Sequence, residues 1–412
     1  MSNLEGILSN SFRNINVQGI NKNIKYVKKN QTIQSVVDSI QDESATNPYT
    51  VIVPPGTYKE KVVLADYISI QGMGRKSTII TGDSSSRGIQ PGNGCLISNL
   101  GIDGVTYEGE GKSCAWSIGL PDTTGNITFY VDNCYFYTKS SSIHVETDGN
   151  ENRCYVYNCI TDTNFDGFVA LDNAKIFAYD CYFNILYHAS HVRKMFVVGH
   201  NGAELYANNC HVYMSIGDIG THVYGAEAYA ITSPESGLLV LNNCYFDLTA
   251  TSGSGVMYGC RAIGDDETVI IYGGRINLSH TGTVKSASAT YNGTVEMYNV
   301  DINQHLVGSL AEPGILKGVP LHKVNRGTMS DNETFEADDG TVFIRDPGGA
   351  ARNFNPTNTY FLDGTIITLI NIADAAETIT FDSAGLNQAV AQNERGIFAY
   401  HKTDGWLKVF VG

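Results

Sequence analysis

The groups best able to do chemistry in this 412-residue sequence are five histidines, one acidic run and nine cysteines. His188, His191, His200, His211 and His222 crowd one stretch, with Arg193 and Lys194 among them. No two of these rings have a spacing that forces both onto one metal ion. They read as a polar patch of solvated loop residues, and no metal is expected. Gly264-Asp265-Asp266-Glu267 holds the carboxylates that a calcium site or a glycosidase pair would need. Asp and Gly in succession read first as a tight turn between strands. Among the cysteines no CxxC pair offers zinc spacing. Cys134, Cys159, Cys181, Cys210 and Cys244 instead occupy one slot of a repeated phrase, where a small apolar residue fits and a free thiol behaves as one. No phosphate loop and no Ser-His-Asp motif is recognisable, and no cofactor is expected.

The phrase that places those cysteines is apolar-x-apolar-x-Asn-Cys-x-apolar. It recurs at Asn133, Asn158, Asp180, Asn209 and Asn243, with degenerate copies at Asn99, Gly273 and Asn299. Successive copies lie 34, 25, 22, 29, 34, 30 and 26 residues apart, the self-similarity of a solenoid. Buried-type residues fall four and two before the Asn, then one and three after it. Period two means strand, but the phase slips by one residue across the Asn. A strand that keeps one face inward through that slip must bend, and Asn and Gly accept the left-handed backbone of a bend. Two short strands joined at a corner, stacked at strand spacing, make a parallel β-helix. Asn and Cys ladders follow.

Composition narrows the function classes. The net charge of −15 argues against nucleic acid, whose binders carry a basic footprint. No apolar run approaches a membrane span, and the start MSNLEGILSNSFRNINVQG lacks the pattern of a signal peptide. Tyrosine outnumbers tryptophan 24 to 2, and exposed tyrosines can stack on sugar rings as well as suit strands.

Taken in order, residues 1–24 are polar and without period, an attachment segment or a tail. Thr32 then predicts an N-cap, with Ile33, Val36, Val37 and Ile40 at helical spacing. Such a helix would cover the open end of the first coil, which otherwise is an exposed sheet edge. TIQSVVDSI, VIVPPGTYKEKV, ISIQGMG and STIITG follow over roughly residues 30–82. This opening resembles that of the pectinesterase β-helix family, and the resemblance implies a right-handed, pectin lyase-like helix over 25–308.

The family's chemistry would need a nucleophilic Asp, a second Asp as acid and base, and an Arg that holds the nucleophile. The resemblance puts Asp166, in FDGFVALDNA, at the nucleophile position and Arg261, in YGCRAIGDDETV, at the Arg position. At the acid/base position, seven residues after Cys134, stands Ser141. The coil ending in Cys210 is extra relative to the family and would separate Asp166 from Arg261 by a further strand spacing, about 4.8 Å. Ester hydrolysis needs nucleophile and proton donor within hydrogen-bond reach, so the catalytic set is incomplete and pectinesterase activity is not expected.

Past Ile302 the phrase stops. Residues 309–336 read as a linker and 337–412 as a small antiparallel β-sandwich knob of alternating strands and Gly, Asp and Asn turns. That terminal segment resembles the β knobs of bacteriophage tail fibres and tail spikes. The all-β chain as a whole resembles a phage tail spike or fibre, and that resemblance implies a virion tail protein, assembled in the host cytoplasm, that binds a host surface glycan or receptor and other tail proteins. The alternative is a carbohydrate-active enzyme using the β-helix groove. Tyr187, His188, His191, Arg193, Tyr213 and Tyr224 are the glycan-binding candidates. A small knob has a limited core of its own, and its surplus apolar side chains together with the resemblance imply a trimer.

Overall fold

A computed structural model describes residues 23–411 apart from 82–87, 104–116, 121–125, 139–140, 147–150, 164–165, 186–192, 200–201, 220–221, 230–235, 265–266, 281–282, 292, 299, 303–305, 309–314, 320–323, 336–341, 357–364, 384–385 and 402–403. Two compact units divide the chain, Met1–Ile216 and Gly217–Gly412.

In the first unit a short helix, α1 (Ile33–Asp38), precedes the coils. Thr32 caps it by accepting from the Ser35 N–H at 3.1 Å. The Glu60 carboxylate takes the Ile33 and Gln34 N–H groups, each at 2.9 Å, so further orphan donors at the helix start are satisfied. Ile33, Val36 and Val37 are buried, as the helical spacing predicts.

The coils are those of a parallel β-helix with three sheets. Sheet A holds the strands before the Asn corner: Thr128–Asp132, Arg153–Tyr157, Lys175–Tyr179 and Glu204–Asn208 in the middle of the first unit. Sheet B holds the strands after the corner, such as Tyr135–Thr138, Ile160–Thr163 and Tyr182–Ile185. Sheet C closes each coil with Ile118–Leu120, Ile143–Val145, Phe168–Leu171 and Arg193–Gly199. The second unit repeats the scheme, with Leu238–Asn242, Thr268–Tyr272 and Thr294–Tyr298 in sheet A, Tyr245–Gly253 and Arg275–His280 in sheet B, and Val223–Tyr229, Val256–Ile263 and Thr283–Thr290 in sheet C.

The corner is as the phase slip requires. Asn99, Asn133, Asn158, Asp180 and Asn209 have φ of 54°, 51°, 52°, 52° and 52°, and in the second unit Asn243 and Gly273 have 51° and 63°. An ordinary L-residue is strained in this region, and short polar side chains or Gly are not. The corner N–H groups of Asn99, Asn133, Asn158, Asp180, Asn243 and Gly273 still find the next coil: Asn133 donates to the Tyr157 carbonyl at 3.0 Å, and Asn158 to that of Tyr179 at 3.1 Å. The bend therefore leaves no ladder donor unpaired there.

The cysteines one residue after the corner point inward and are buried and free. Each thiol donates back to the carbonyl of the residue just before the corner, with Sγ···O of 3.5 Å at Cys134, 3.2 Å at Cys159, 3.3 Å at Cys181, 3.4 Å at Cys210 and 3.6 Å at Cys244. A methyl group would fill the slot without that bond. Burial pushes the Cys95 thiol up to about 12 and raises those of Cys154 and Cys260 as well.

The last coil runs further than the repeat phrase suggests. Ile315–Val319 pairs in parallel with Thr294–Tyr298, so sheet A enters the stretch predicted as a linker. Val324–Thr328 and Glu333–Phe335, also in that stretch, belong to the terminal sheets. Those sheets are mixed, which corrects the antiparallel expectation. Val324–Thr328, Val342–Asp346 and Ile366–Asn371 pair in parallel in one sheet, and Glu333–Phe335, Arg352–Pro356 and Ile379–Ser383 do so in the other. The chain alternates between two sheets, still coiling, and only Leu386–Val390, Arg395–His401 and Gly405–Val411 fold back antiparallel. Phe335, Phe343, Phe354, Phe381, Phe398 and Trp406 fill the space between.

Candidate functional site

The coils hold three groups of polar side chains. On sheet C of the first unit, the Ser142 N–H donates to the carbonyls of Asp166 and Gly167, and the Gly167 N–H to that of Lys194. With Ile143 opposite Phe168 and Phe168 opposite Phe196, this register sets Ser141, Asp166 and Lys194 on successive coils at one position. The side chain beside Asp166 on the preceding coil is thus the buried Ser141. A serine hydroxyl does not ionise near neutral pH, so the acid/base role has no occupant at that position.

Arg261 lies in the second unit and is engaged there. Its Nη1 donates to the Tyr224 hydroxyl at 2.9 Å and stands 3.7 Å from Glu227 Oε1. The guanidinium rests over the Tyr258 ring at 5.2 Å and the Tyr224 ring at 5.6 Å, and those two rings stack at 4.7 Å. Glu227 lies directly opposite Arg261 in the ladder and Tyr224 opposite Tyr258, in one register broken only at Gly225, and both side chains reach the guanidinium. Burial raises the Tyr224 hydroxyl to about 12, against the lowering effect of Arg261. His222, exposed at the rim, accepts the Val256 N–H through Nδ1. Two predicted residues, Arg261 and Tyr224, thus meet, around a carboxylate that the sequence reading missed. Glu227 is 2% exposed, and the guanidinium covers it.

The third group is a row on sheet B of the first unit, four residues after each corner. Register places Asp103, Tyr137, Asp162, Asn184 and Tyr213 side by side on successive coils. Asp162 is fixed from two sides: Tyr135 donates its hydroxyl to Oδ2, and Asn184 Nδ2 donates to Oδ1 at 2.7 Å. Burial first, and then this bond, raise the Tyr135 hydroxyl. Lys76 lies over the Tyr135 ring at 4.9 Å. In the second unit Asn277 makes the same bond to Asp247 at 3.2 Å, but Arg275 also holds that carboxylate at 2.9 Å. Of this row only Tyr213 was predicted. The repeat phase carries the others, since the fourth residue after each corner can be read off the phrase.

Tyr187, His188, His191, Asp265 and Asp266 lie outside the described residues, and of Arg193 only the backbone, opening the strand Arg193–Gly199, is described. Glu267, the last of the acidic run, is fully buried. It lies in the interior just before the strand Thr268–Tyr272.

No protein-family model matches the chain, and no curated protein sequence matches it. Solved structures do. Pectin methylesterase from carrot is 15% identical, covering 58% of this chain and 84% of that one, with a TM-score of 0.43. Pectin methylesterase PemA from Erwinia chrysanthemi is 10% identical over 72% of this chain and 93% of its own, at 0.37. A tailspike protein of Acinetobacter baumannii bacteriophage Fri1, described as a capsular polysaccharide depolymerase, is 14% identical over 72% and 63%, at 0.35. At these identities the likeness concerns the fold alone, and function rests on the side chains.

Proposed function

We propose that this chain is a tail fibre or tail spike-like protein of a bacteriophage virion that binds a host surface glycan without cleaving it. One observation carries the reading. Between residues 100 and 302 every exposed large apolar or aromatic side chain among the described residues is a tyrosine: Tyr137, Tyr213, Tyr245, Tyr272 and Tyr291. A tyrosine offers a ring to the apolar face of a sugar and a hydroxyl to its hydroxyls. A coil surface selected only against aggregation would carry charge instead.

The hydrolytic alternative lacks its parts. Ser141 replaces the acid/base carboxylate, and Arg261 is committed to Tyr224 and Glu227. The terminal sheets expose a different surface, with Ile366, Leu407, Val409 and Phe410 outward. Leu407, Val409 and Phe410 lie on the edge strand Gly405–Val411, where apolar groups favour association with other copies, and the reading assigns them to a trimer contact. A glycan array read for binding, with the same glycans assayed in solution for reducing ends and methanol, tests the function. Binding without release is expected. Release of either product would transfer the chain to the enzymes.

A further inference from the structure

We propose that the outward row Tyr137–Asp162–Asn184–Tyr213 on sheet B of the first unit is the glycan contact, and that it takes a linear run of neutral sugars rather than a single or acidic one. This inference rests on the glycan-binding reading and adds the place, the length and the charge of the ligand.

Length follows from register. Tyr137 and Tyr213, 45% and 43% exposed, stand on strands three spacings apart, which sets them roughly 14 Å from each other at about 4.8 Å per strand. No single sugar ring spans that distance, whereas a polymer laid across the strands meets both tyrosines and the two side chains between them. All four sit on regular strands, so little order has to be gained on binding.

Charge follows from the middle of the row. Asp162 is held by Tyr135 and Asn184, and Asn184 has spent one N–H on it. Asp162 as a carboxylate has further lone pairs, and the Asn184 amide has its carbonyl oxygen. The centre therefore presents mainly acceptors, which match sugar hydroxyls. Asp103 extends the row beyond Tyr137 with another carboxylate, and the chain carries −15 in all. A uronate or sulfated polymer would bring like charge against like. The equivalent pair in the second unit differs in this respect, since Arg275 holds Asp247. The acceptor-rich strip thus belongs to the first unit.

The test uses the labelled full chain on an array of neutral, amino-sugar, uronate and sulfated glycans, each family graded from monosaccharide to hexasaccharide. The expected result is binding to neutral glycans that rises with length and is absent for monosaccharides. Tyr137→Ala, Tyr213→Ala and Asp162→Asn should each weaken it by about tenfold, and Tyr26→Ala should leave it unchanged. Folding of each variant is checked by circular dichroism. No binding to any glycan would overturn the glycan-binding reading itself. Binding that is acidic in preference, equal for monosaccharides and hexasaccharides, or indifferent to the three substitutions would leave that reading standing and overturn this one.

Discussion

Asn158→Ala and Asn158→Gly separate the two ways in which a corner residue can stabilise a coil. Asn158 has φ of 52° and an exposed side chain, whose amide donates to Asp132 Oδ1 at 3.1 Å. Its N–H bond to Tyr179 is made by the backbone and survives substitution. Placing Ala there costs about 1–2 kcal/mol in left-handed strain that Asn largely avoids. The exposed hydrogen bond adds roughly 0.5 kcal/mol at most. Gly escapes the strain, and the freedom it adds to the unfolded chain costs about 0.4–1 kcal/mol. Asn158→Ala should therefore lower stability by roughly 1.5 kcal/mol and Asn158→Gly by roughly half of that. Urea denaturation followed by far-ultraviolet circular dichroism reads the midpoints, with the slope checked for constancy. An Ala variant as stable as the Gly variant would refute the reasoning, because the corner would then not be governed by φ.

Thiol reagent should find none of the eight described cysteines in the native chain and all of them in urea, since each is buried. Cys95 keeps its proton to about 12 when folded, against an ordinary thiol value of 9.0. Its contribution is therefore complete below pH 9 and lost as pH rises towards 12, and the urea midpoint should be lower at pH 10 than at pH 8. Arg261→Ala should cost about 3 kcal/mol and Glu227→Ala clearly less, because the first change strands the more deeply buried charge; equal losses in urea melts would contradict the burial argument. Asn371→Ala should cost about 3 kcal/mol by calorimetry. The fully buried Asn371 amide donates to the Glu377 and Val390 carbonyls and accepts from the Ala373 N–H. On the trimer proposed above, Leu407→Lys with Val409→Lys should shift the sedimenting species to monomer at micromolar concentration, and an unchanged mass in both proteins would remove this edge from the contact.

What the sequence reveals here is whatever repeats. The period-two runs and the slip at Asn158 or Asp180 state the inward residues, the corner and the stacking, because each coil must meet its neighbours at the same slots. The terminal sheets were half legible. Phe343, Ile367 and Phe398 read as strand positions, but parallel and antiparallel partners carry the same alternation, and nothing local in Val342–Asp346 says which it chooses. The linker expectation failed for a related reason. Ile315–Val319 lacks the Asn-Cys phrase, yet it needs only an exposed sheet A edge to pair with. Glu227 carried no signal at all, since its place opposite Arg261 is set by the sheet C register, which the phrase does not mark.

The same constraint explains where function can reside. Inward slots are held to small or apolar residues by the coils on either side, and the corner by its φ. The outward positions of sheet B are under neither demand, yet they inherit the fixed strand spacing. Tyr137, Asp162, Asn184 and Tyr213 differ in chemistry, while of the four inward residues beside them Phe136, Phe183 and Val212 are apolar and Thr161 alone carries a hydroxyl. Variation placed on an invariant spacing is what recognition of a linear polymer requires. A cleft would have needed long loops to do the same, and each of those would have to be ordered on binding.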